Sequence, residues 1–262
     1  MIELRHPEVA ALVLAAGQGK RMRSDLAKVL HPMAGRPLLA LVLEVLDELG
    51  VGRTLVVVGH QADQVRAALA EAPVEWVLQA EQRGTGHAVQ VAGPALAGFA
   101  GTLLVVFGDV PLLRASTLHD LLEEHRASGA AVTVLSTRVP DPTGYGRILR
   151  AGGSRGQITA IVEDRDATPE QRRIDEINSG IMAFRYPALV EALSGLSAHN
   201  AQAEYYLTDT IGLLLQAGQG VGAVCAPDHR ELLGINTVEQ LAEAELMYRE
   251  MKRPVGRIGG TE

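Results

Sequence analysis

The residues best suited to chemistry form a glycine-containing loop rich in positive charge. An apolar run at residues 9–14 predicts a buried strand, and Gly17 and Gly19 follow it. Four cations then fall within nine residues: Lys20, Arg21, Arg23 and Lys28. At the carboxyl end of a parallel strand, such a loop directs N–H groups and cations at phosphate. Because the whole chain is acidic, with a net charge of -7, this cluster indicates a local polyphosphate site and not a nucleic-acid surface.

Two well-known phosphate loops do not match this segment. A dinucleotide fingerprint requires a third small residue where Met22 stands, and no acidic residue ends a second strand about 20 residues further on. The spacing of a P-loop, with its Gly-Lys-Ser/Thr, is also missing from the sequence. Taken alone, the segment is also compatible with a glycine turn whose cations are solvated, although the phosphate loop is favoured.

Seven short motifs follow one another along the chain. They are LAAGQGKRMRSDLAKVLHP (14–32), QAEQRGTGHA (79–88), GDVPL (108–112), DPTGYGRI (141–148), IVE (161–163), EINSGI (176–181) and EYYLTD (204–209). In this order they resemble the motifs of sugar-nucleotide pyrophosphorylases. More narrowly, the chain is similar to the N-acetylglucosamine-1-phosphate uridylyltransferase domain of the bacterial bifunctional enzyme that makes UDP-N-acetylglucosamine. The resemblance covers roughly residues 9–247.

The resemblance implies that the phosphate of N-acetylglucosamine 1-phosphate attacks the α-phosphorus of UTP and that pyrophosphate leaves. Since the nucleophile is already an anion, no covalent intermediate is required. Catalysis then depends on bringing two polyanions together, aligning them and stabilising charge on the leaving group. We therefore expect a Mg²⁺ cofactor, basic side chains and pockets for base and sugar. The remaining acid–base candidates are expected to be structural: His31, His60, His87 and His125.

Three residues are expected to be catalytic. Asp109 follows a predicted central strand and is expected to bind Mg²⁺, unless it only forms a turn before Pro111. The resemblance adds Asn236 as a second metal ligand, although it could equally cap the last helix. Arg21 is expected to stabilise the departing pyrophosphate, because a guanidinium binds phosphate oxygens bidentately. Lys28 is expected to reach the phosphates as a point charge.

The other implied residues surround the substrates. The full substrate-binding set is Leu14, Ala15, Ala16, Gly17, Lys28, Gln79, Gly84, Thr85, Phe107, Gly108, Gly146, Glu163, Asn178 and Asn236. Backbone groups of residues 15–17 and Gly84 are expected to read uracil together with the Gln79 amide, unless Gln79 is merely an exposed loop amide. The sugar is assigned to Thr85, Gly146, Glu163 and Asn178. Glu204 and Tyr206 are expected to wall the N-acetyl pocket.

Two positions depart from the family pattern. Lys20 stands where a small hydroxyl residue is usual, and Ala27 stands where proline is usual. Ala27 should make the loop less rigid. Lys20 either adds attraction for the triphosphate or obstructs it, and we expect activity to survive.

Composition and patterning predict the fold. The 262 residues are 47% hydrophobic but only 3% aromatic, which predicts an aliphatic core. Alternating strand and helix patterns predict an α/β, Rossmann-like and mostly parallel sheet with helices on both faces. The resemblance implies that this fold is of the nucleotide-diphospho-sugar transferase type. Between residues 140 and 177 the regular alternation gives way to short strands and glycines, which predicts a small inserted lobe or lid over the sheet. The resemblance implies that this lobe binds the sugar. Residues 1–250 are expected to form the nucleotidyltransferase domain and residues 251–262 a flexible tail.

Several broader expectations concern the setting of the protein. The single cysteine, Cys225, is expected in a buried strand and suits a reducing compartment. No apolar run approaches the ~18 residues of a membrane span and no signal-peptide pattern is present, so we expect a cytoplasmic protein without a membrane or nucleic-acid partner. The bifunctional relatives continue into a β-helix of hexapeptide repeats, which this sequence lacks. We therefore expect no acetyl-CoA site, and the oligomeric state stays open.

Two alternative functions stay open at this point. The chain could be a nucleotidyltransferase for another base or another sugar 1-phosphate, such as glucose 1-phosphate. It could also be a catalytically silent regulatory domain that binds a sugar nucleotide. Retention of Arg21, Lys28 and Asp109 together disfavours the silent domain, because binding alone has little need of all three.

Overall fold

The computed structural model describes residues 5–153 and 156–251. The strands are β1 (His6–Ala15), β2 (Pro32–Met33), β3 (Arg36–Pro37), β4 (Val51–Val58), β5 (Glu75–Leu78), β6 (Thr102–Phe107), β7 (Val132–Arg138), β8 (Gly146–Arg150), β9 (Ile158–Val162), β10 (Glu176–Arg185) and β11 (Val221–Ala226). The α-helices are α1 (Leu38–Leu49), α2 (Ala62–Ala68), α3 (Thr85–Val91), α4 (Ala115–Ser128), α5 (Tyr186–Ser194), α6 (Asp209–Gln216) and α7 (Val238–Met251).

The main sheet has the strand order β11-β7-β10-β6-β1-β4-β5, and β2 pairs with β3 in a separate hairpin. Strand β1 pairs in parallel with β4 and β6, β4 with β5, and β7 with β11. Strand β10 alone in this path runs antiparallel to its neighbours, β6 and β7. The predicted mostly parallel α/β sheet is therefore confirmed, with one reversed strand that the sequence pattern did not reveal.

The core lies in two layers because alternate residues of each strand point to opposite faces of the sheet. On one face, Leu12 packs with Val89 of α3 and Ile211 of α6. On the other face, Val13 packs with residues of α1 and α4, among them Leu121. Helices thus cover both faces, which explains why β1 is a continuous apolar run and not an alternating one.

The inserted lobe is built on a hairpin of β8 and β9 that pairs with the beginning of β10. An ion pair fixes this junction: Arg150 donates to the Glu176 carboxylate at 2.6 and 2.9 Å. Ser136 of β7 donates to the same carboxylate at 2.8 Å. Since Glu176 is buried, these contacts tie the lobe to the sheet through satisfied hydrogen bonds.

Four local features of the elements bear on how the sequence folds. Helix α1 ends at Leu49, and Gly50 follows in the left-handed conformation that terminates helices. Helix α5 begins directly after β10, with Pro187 in its first turn. Cys225 lies in β11 but is exposed, because β11 is an edge strand. At the start of α7, Gln240 N–H donates to Thr237 Oγ1 as a capping box requires, but its amide oxygen accepts from the N–H of Asn236.

Two further expectations concern the C-terminal tail and membrane spans. Of the proposed tail, residues 252–262 lie outside the described residues. Within the described part of the chain, no helix is both long and apolar enough to cross a membrane.

Candidate active site

A cavity of about 750 Å³ opens at the carboxyl edge of the parallel strands. Leu14 of β1 pairs with Phe107 of β6, so the segments that follow these strands meet there. Strand β1 lies between β4 and β6, which continue the sheet in opposite directions. In open α/β sheets such a switch point forms the crevice where ligands bind. The inserted lobe closes the far side of the cavity through Gly146 and Glu163.

The glycine loop lies directly on Lys28. Gly19 has φ +60, and a Cβ there would lie only 2.7 Å from Lys28 Cβ. Met22 is almost completely buried, and its N–H donates to the Gly19 carbonyl at 2.8 Å. The residue that excludes a dinucleotide fingerprint therefore anchors the loop in the core. Glycine is required at position 19 because both the backbone conformation and the contact exclude a larger residue.

Lys28 connects the two predicted metal ligands. Its ammonium contacts Asp109 Oδ2 and lies 3.1 Å from Asn236 Oδ1. The Asn236 amide also donates to the Gly234 carbonyl at 3.2 Å, and the side chain that caps α7 is that of Thr237. Asn236 therefore faces the cavity and does not act as the helix cap.

The donor set at this point suits Mg²⁺. A carboxylate oxygen of Asp109 and the amide oxygen of Asn236 converge on one position, which the Lys28 ammonium occupies and which we call the cationic position. Oxygen ligands of this kind, with phosphates and waters completing an octahedron, are those that Mg²⁺ prefers. The side chains of Lys28 and Asp109 are only 15% and 13% exposed, so the charges interact with little screening by solvent.

Two further groups lie close to this cationic position. Arg21 is exposed at the cavity wall and forms neither a hydrogen bond nor an ion pair with any residue that the structure describes. Tyr145 reaches the site from the lobe. Burial raises the pKa of the Tyr145 phenol, and the nearby Asp109 carboxylate raises it further. Arg21 is thus available for an anion, and the Tyr145 phenol stays protonated at neutral pH.

The end of the cavity near β5 presents fixed hydrogen-bonding groups. Gln79 is buried, and its amide nitrogen donates to the Gly84 carbonyl at 3.1 Å. Gln79 is therefore not an exposed loop amide. Gly84 has φ +106, and a Cβ there would lie 2.5 Å from the Tyr205 carbonyl oxygen. Both residues are held by the backbone around them, as recognition of a planar base requires.

The opposite end is lined by polar groups of the lobe and of β10. Thr208 donates its hydroxyl to Glu163 at 3.0 Å, and burial raises the pKa of the Glu163 carboxyl. Asn178 accepts the N–H of Gly180 at 3.0 Å. A Cβ at Gly146 would lie 3.4 Å from the Glu163 carboxylate, so glycine leaves space in front of it. These acceptors can bind sugar hydroxyls.

The structure brings most of the predicted set together. All predicted substrate-binding and catalytic residues line the cavity except Gly108, and Glu204 lines it too. Gly108 is buried behind the wall, where its N–H donates to the Leu14 carbonyl at 3.0 Å. Tyr206 is buried and is not among the lining residues.

Sequence reasoning assigned no role to several residues that do line the cavity. They are Gln82, Tyr145, Ser179, Gly180 and Thr208. Each of them falls inside a motif that was recognised, so its position next to the assigned residues was the available signal.

Comparison with known proteins identifies the family. The MobA-like NTP transferase domain matches residues 11–176, which is more than half of the chain. The chain belongs to this family. Its classification as a nucleotidyltransferase is thereby confirmed.

The chain is similar to the bifunctional protein GlmU of several bacteria. It is 50% identical over 257 residues to GlmU of Syntrophotalea carbinolica, covering 98% of this chain and 55% of that protein. It is 52% identical over 244 residues to GlmU of Streptomyces avermitilis, covering 92% of this chain and 50% of that protein. The resemblance inferred from the motifs is confirmed, and the chain spans about half the length of these relatives.

A solved structure confirms the fold. A UDP-glucose pyrophosphorylase in complex with UDP-glucose superposes with a TM-score of 0.73, covering 93% of this chain and 99% of that one. The sequence identity is 20%, so this likeness supports the architecture alone.

Proposed function

We propose that this nucleotidyltransferase domain catalyses Mg²⁺-dependent transfer of a uridylyl group from UTP to N-acetylglucosamine 1-phosphate, releasing pyrophosphate. The observation that carries the proposal is that Lys28, Asp109 and Asn236 meet in the same cavity that Gln79 and Glu163 line. GlmU relatives of about 50% identity support the choice of substrates. We further propose that the enzyme is cytoplasmic and that its product supplies the synthesis of cell-wall precursors.

The cavity is large enough for a nucleotide sugar. Its volume of about 750 Å³ falls within the roughly 300–1,000 Å³ of ordinary ligand sites. Gln79 and the backbone at Gly84 would bind the edge of uracil, while Glu163 and Asn178 would accept hydrogen bonds from the sugar. The two substrates would then present their phosphates to each other beside Lys28.

The chain's own residues would align the reacting groups and offset their charge. Asp109 and Asn236 would hold Mg²⁺, which when bound supplies positive charge shared by the phosphates of both substrates. Lys28 would exchange its contact with Asp109 for one with the phosphates. Arg21, at the wall and unpaired within the described residues, would bind the departing pyrophosphate as charge builds on it. The attacking phosphate needs no base.

A pyrophosphate-release assay tests this function. N-acetylglucosamine 1-phosphate and glucose 1-phosphate are each supplied with UTP or dTTP, with and without Mg²⁺. We expect release with UTP and the N-acetylated sugar only when Mg²⁺ is present. Asp109→Ala should abolish pyrophosphate release and leave the fold intact. Asp120→Ala, on the exposed face of α4, should keep both the fold and the activity.

The same assay separates the alternatives. Preference for glucose 1-phosphate or dTTP would contradict the substrate assignment while retaining the family chemistry. Absence of pyrophosphate release, with tight binding of UDP-N-acetylglucosamine, would favour the silent regulatory domain. Full activity in Asp109→Ala would refute the proposal that Asp109 holds a Mg²⁺ ion needed for the reaction.

A further inference from the structure

Two histidines and a glutamate meet at the amino end of the central strand β1, whereas the cavity lies at its carboxyl end. His6 begins β1, and His119 and Glu123 lie one turn apart on α4. One ligand atom from each lies within 4.8 Å of the other two. Since β1 extends from His6 to Ala15, this cluster lies about 30 Å from the catalytic position. The reaction proposed above uses none of these residues.

The two imidazoles are already placed as a chelating pair. His6 Nε2 and His119 Nδ1 are 3.0 Å apart, so at least one of these nitrogens directs a lone pair at the other. Two nitrogens bound to one tetrahedral Zn²⁺ at about 2.0–2.1 Å lie roughly 3.3 Å apart. The observed separation is close to this value. A small rotation of the half-buried Glu123 side chain would add a carboxylate oxygen.

The surroundings also suit a metal ligand. Glu8 Oε1 lies 3.8 Å from the other ring nitrogen of His6, Nδ1. A carboxylate on that side favours the tautomer whose proton is on Nδ1, which leaves the Nε2 lone pair directed at the cluster. His6 itself is buried, and its backbone N–H donates to the Gly50 carbonyl at 2.9 Å, so its ring starts from a fixed backbone.

One contact competes with metal binding. Arg126 forms an ion pair with Glu123 one turn further along α4, and the two side chains are 69% and 40% exposed. Exposed pairs of this kind are worth up to about 1 kcal/mol, so the carboxylate is released at little cost. A cavity of about 300 Å³ beside His6 and Glu123 gives solvent access for a metal and for a water ligand.

We propose that His6, His119 and Glu123 bind a divalent transition metal of the zinc type, with Glu8 as an outer partner of His6. The ligand set of two imidazoles and one carboxylate is one that Zn²⁺ accepts, with solvent at the fourth position. It differs from the oxygen set at Asp109 and Asn236, so the two positions have opposite metal preferences. A bound metal joins the start of β1 to α4 and stabilises the folded state.

Isothermal titration of the whole protein with ZnCl₂, in millimolar MgCl₂, tests this proposal. We expect one Zn²⁺ per chain and a rise in melting temperature on saturation. His119→Ala and the isosteric Glu123→Gln should each weaken Zn²⁺ by at least about 10-fold, with Glu8→Gln in the range of about 10–100-fold that loss of an outer partner costs. Co²⁺ should give the intense visible absorption of a tetrahedral site.

Matched variants serve as controls. Glu124→Gln alters the next residue of α4, and His199→Ala removes an exposed histidine elsewhere; both should bind Zn²⁺ as the unaltered protein does. Melting curves without metal verify that His119→Ala and Glu123→Gln fold. The proposal is refuted if the unaltered protein binds no Zn²⁺ at micromolar concentration, or if these two folded variants bind it unchanged. Pyrophosphate release in Mg²⁺ by His119→Ala and by Glu123→Gln should equal that of the unaltered protein.

Discussion

Replacement of Lys28 by methionine separates the two roles that the structure gives to this residue. In the absence of substrate, its ammonium neutralises Asp109 and contacts Asn236. During the proposed reaction it would instead contact phosphate. Methionine keeps most of the side-chain length but removes the charge, so stability and turnover should both change, and by different amounts.

The expected loss of stability follows from burial. The side chains of Lys28 and Asp109 are 15% and 13% exposed, and removal of one partner of a buried pair costs about 3 kcal/mol at the lower end of the usual range. For a domain of this size that corresponds to a fall of about 6–12 °C in melting temperature. Added Mg²⁺ should raise the melting temperature more in Lys28→Met than in the unaltered protein, because no ammonium competes for Asp109.

Loss of the Lys28 charge should also lower turnover. Removal of one preorganised group that stabilises developing charge usually lowers kcat by about 10²–10³-fold. Differential scanning fluorimetry across a Mg²⁺ titration measures the first effect, and pyrophosphate release measures the second. Lys20→Met, which removes an exposed cation of the same loop, is the matched control and should change neither by much.

Two results would contradict this reasoning. If Lys28→Met kept its melting temperature and gained no more from Mg²⁺ than the unaltered protein, the ion pair with Asp109 would not compete with the metal. If the variant kept full turnover, Lys28 would not contact the phosphates in the reaction.

Three further predictions concern single residues around the cavity. Gly84→Ala should raise the KM for UTP more than that for the sugar phosphate, since a Cβ would lie 2.5 Å from the Tyr205 carbonyl oxygen; Gly98→Ala, at a positive φ in open space, is the control. Glu163→Gln should raise the KM for the sugar phosphate alone. Because burial raises the Glu163 pKa, the folded state of the unaltered protein loses stability relative to Glu163→Gln as pH rises from 4.5, which melting curves at several pH values measure. Lys20→Thr should change kcat less than about fivefold, because an exposed cation contributes up to about 1 kcal/mol; a gain of orders of magnitude would show that the lysine obstructs the triphosphate.

The regular half of the fold and the centre of the site could be predicted from the sequence for physical reasons. Continuous aliphatic runs such as that of β1 occur where both faces of a strand are covered. Segments that follow neighbouring parallel strands necessarily meet at one edge, which brought the glycine loop and Asp109 together. Local pattern and topology agree at these positions.

The features that were missed depend on long-range contacts. The reversal of β10 leaves no local mark, because residues 181–184, which pair with the neighbouring strands, are apolar and buried like those of a parallel strand. Exposure of Cys225 depends on β11 being the last strand of the sheet. The hydrogen bond of the Gly108 amide to Leu14, which keeps Gly108 behind the cavity wall, follows from strand pairing and not from its own motif.

Strand β10 passes without interruption from the inserted lobe into the centre of the sheet. Its beginning pairs with β7 and β8, its end with β6 and β7, and the register shifts between Asn178 and Met182, where Gly180 has φ +82. Because one strand serves both parts, the lobe and the sheet are joined by paired backbone, and the irregular pairing lies between Asn178 and Met182. If the proposed sugar binds beside Asn178, we expect the width of its pocket to stay nearly constant, so a hexosamine too large for it would be excluded by steric overlap.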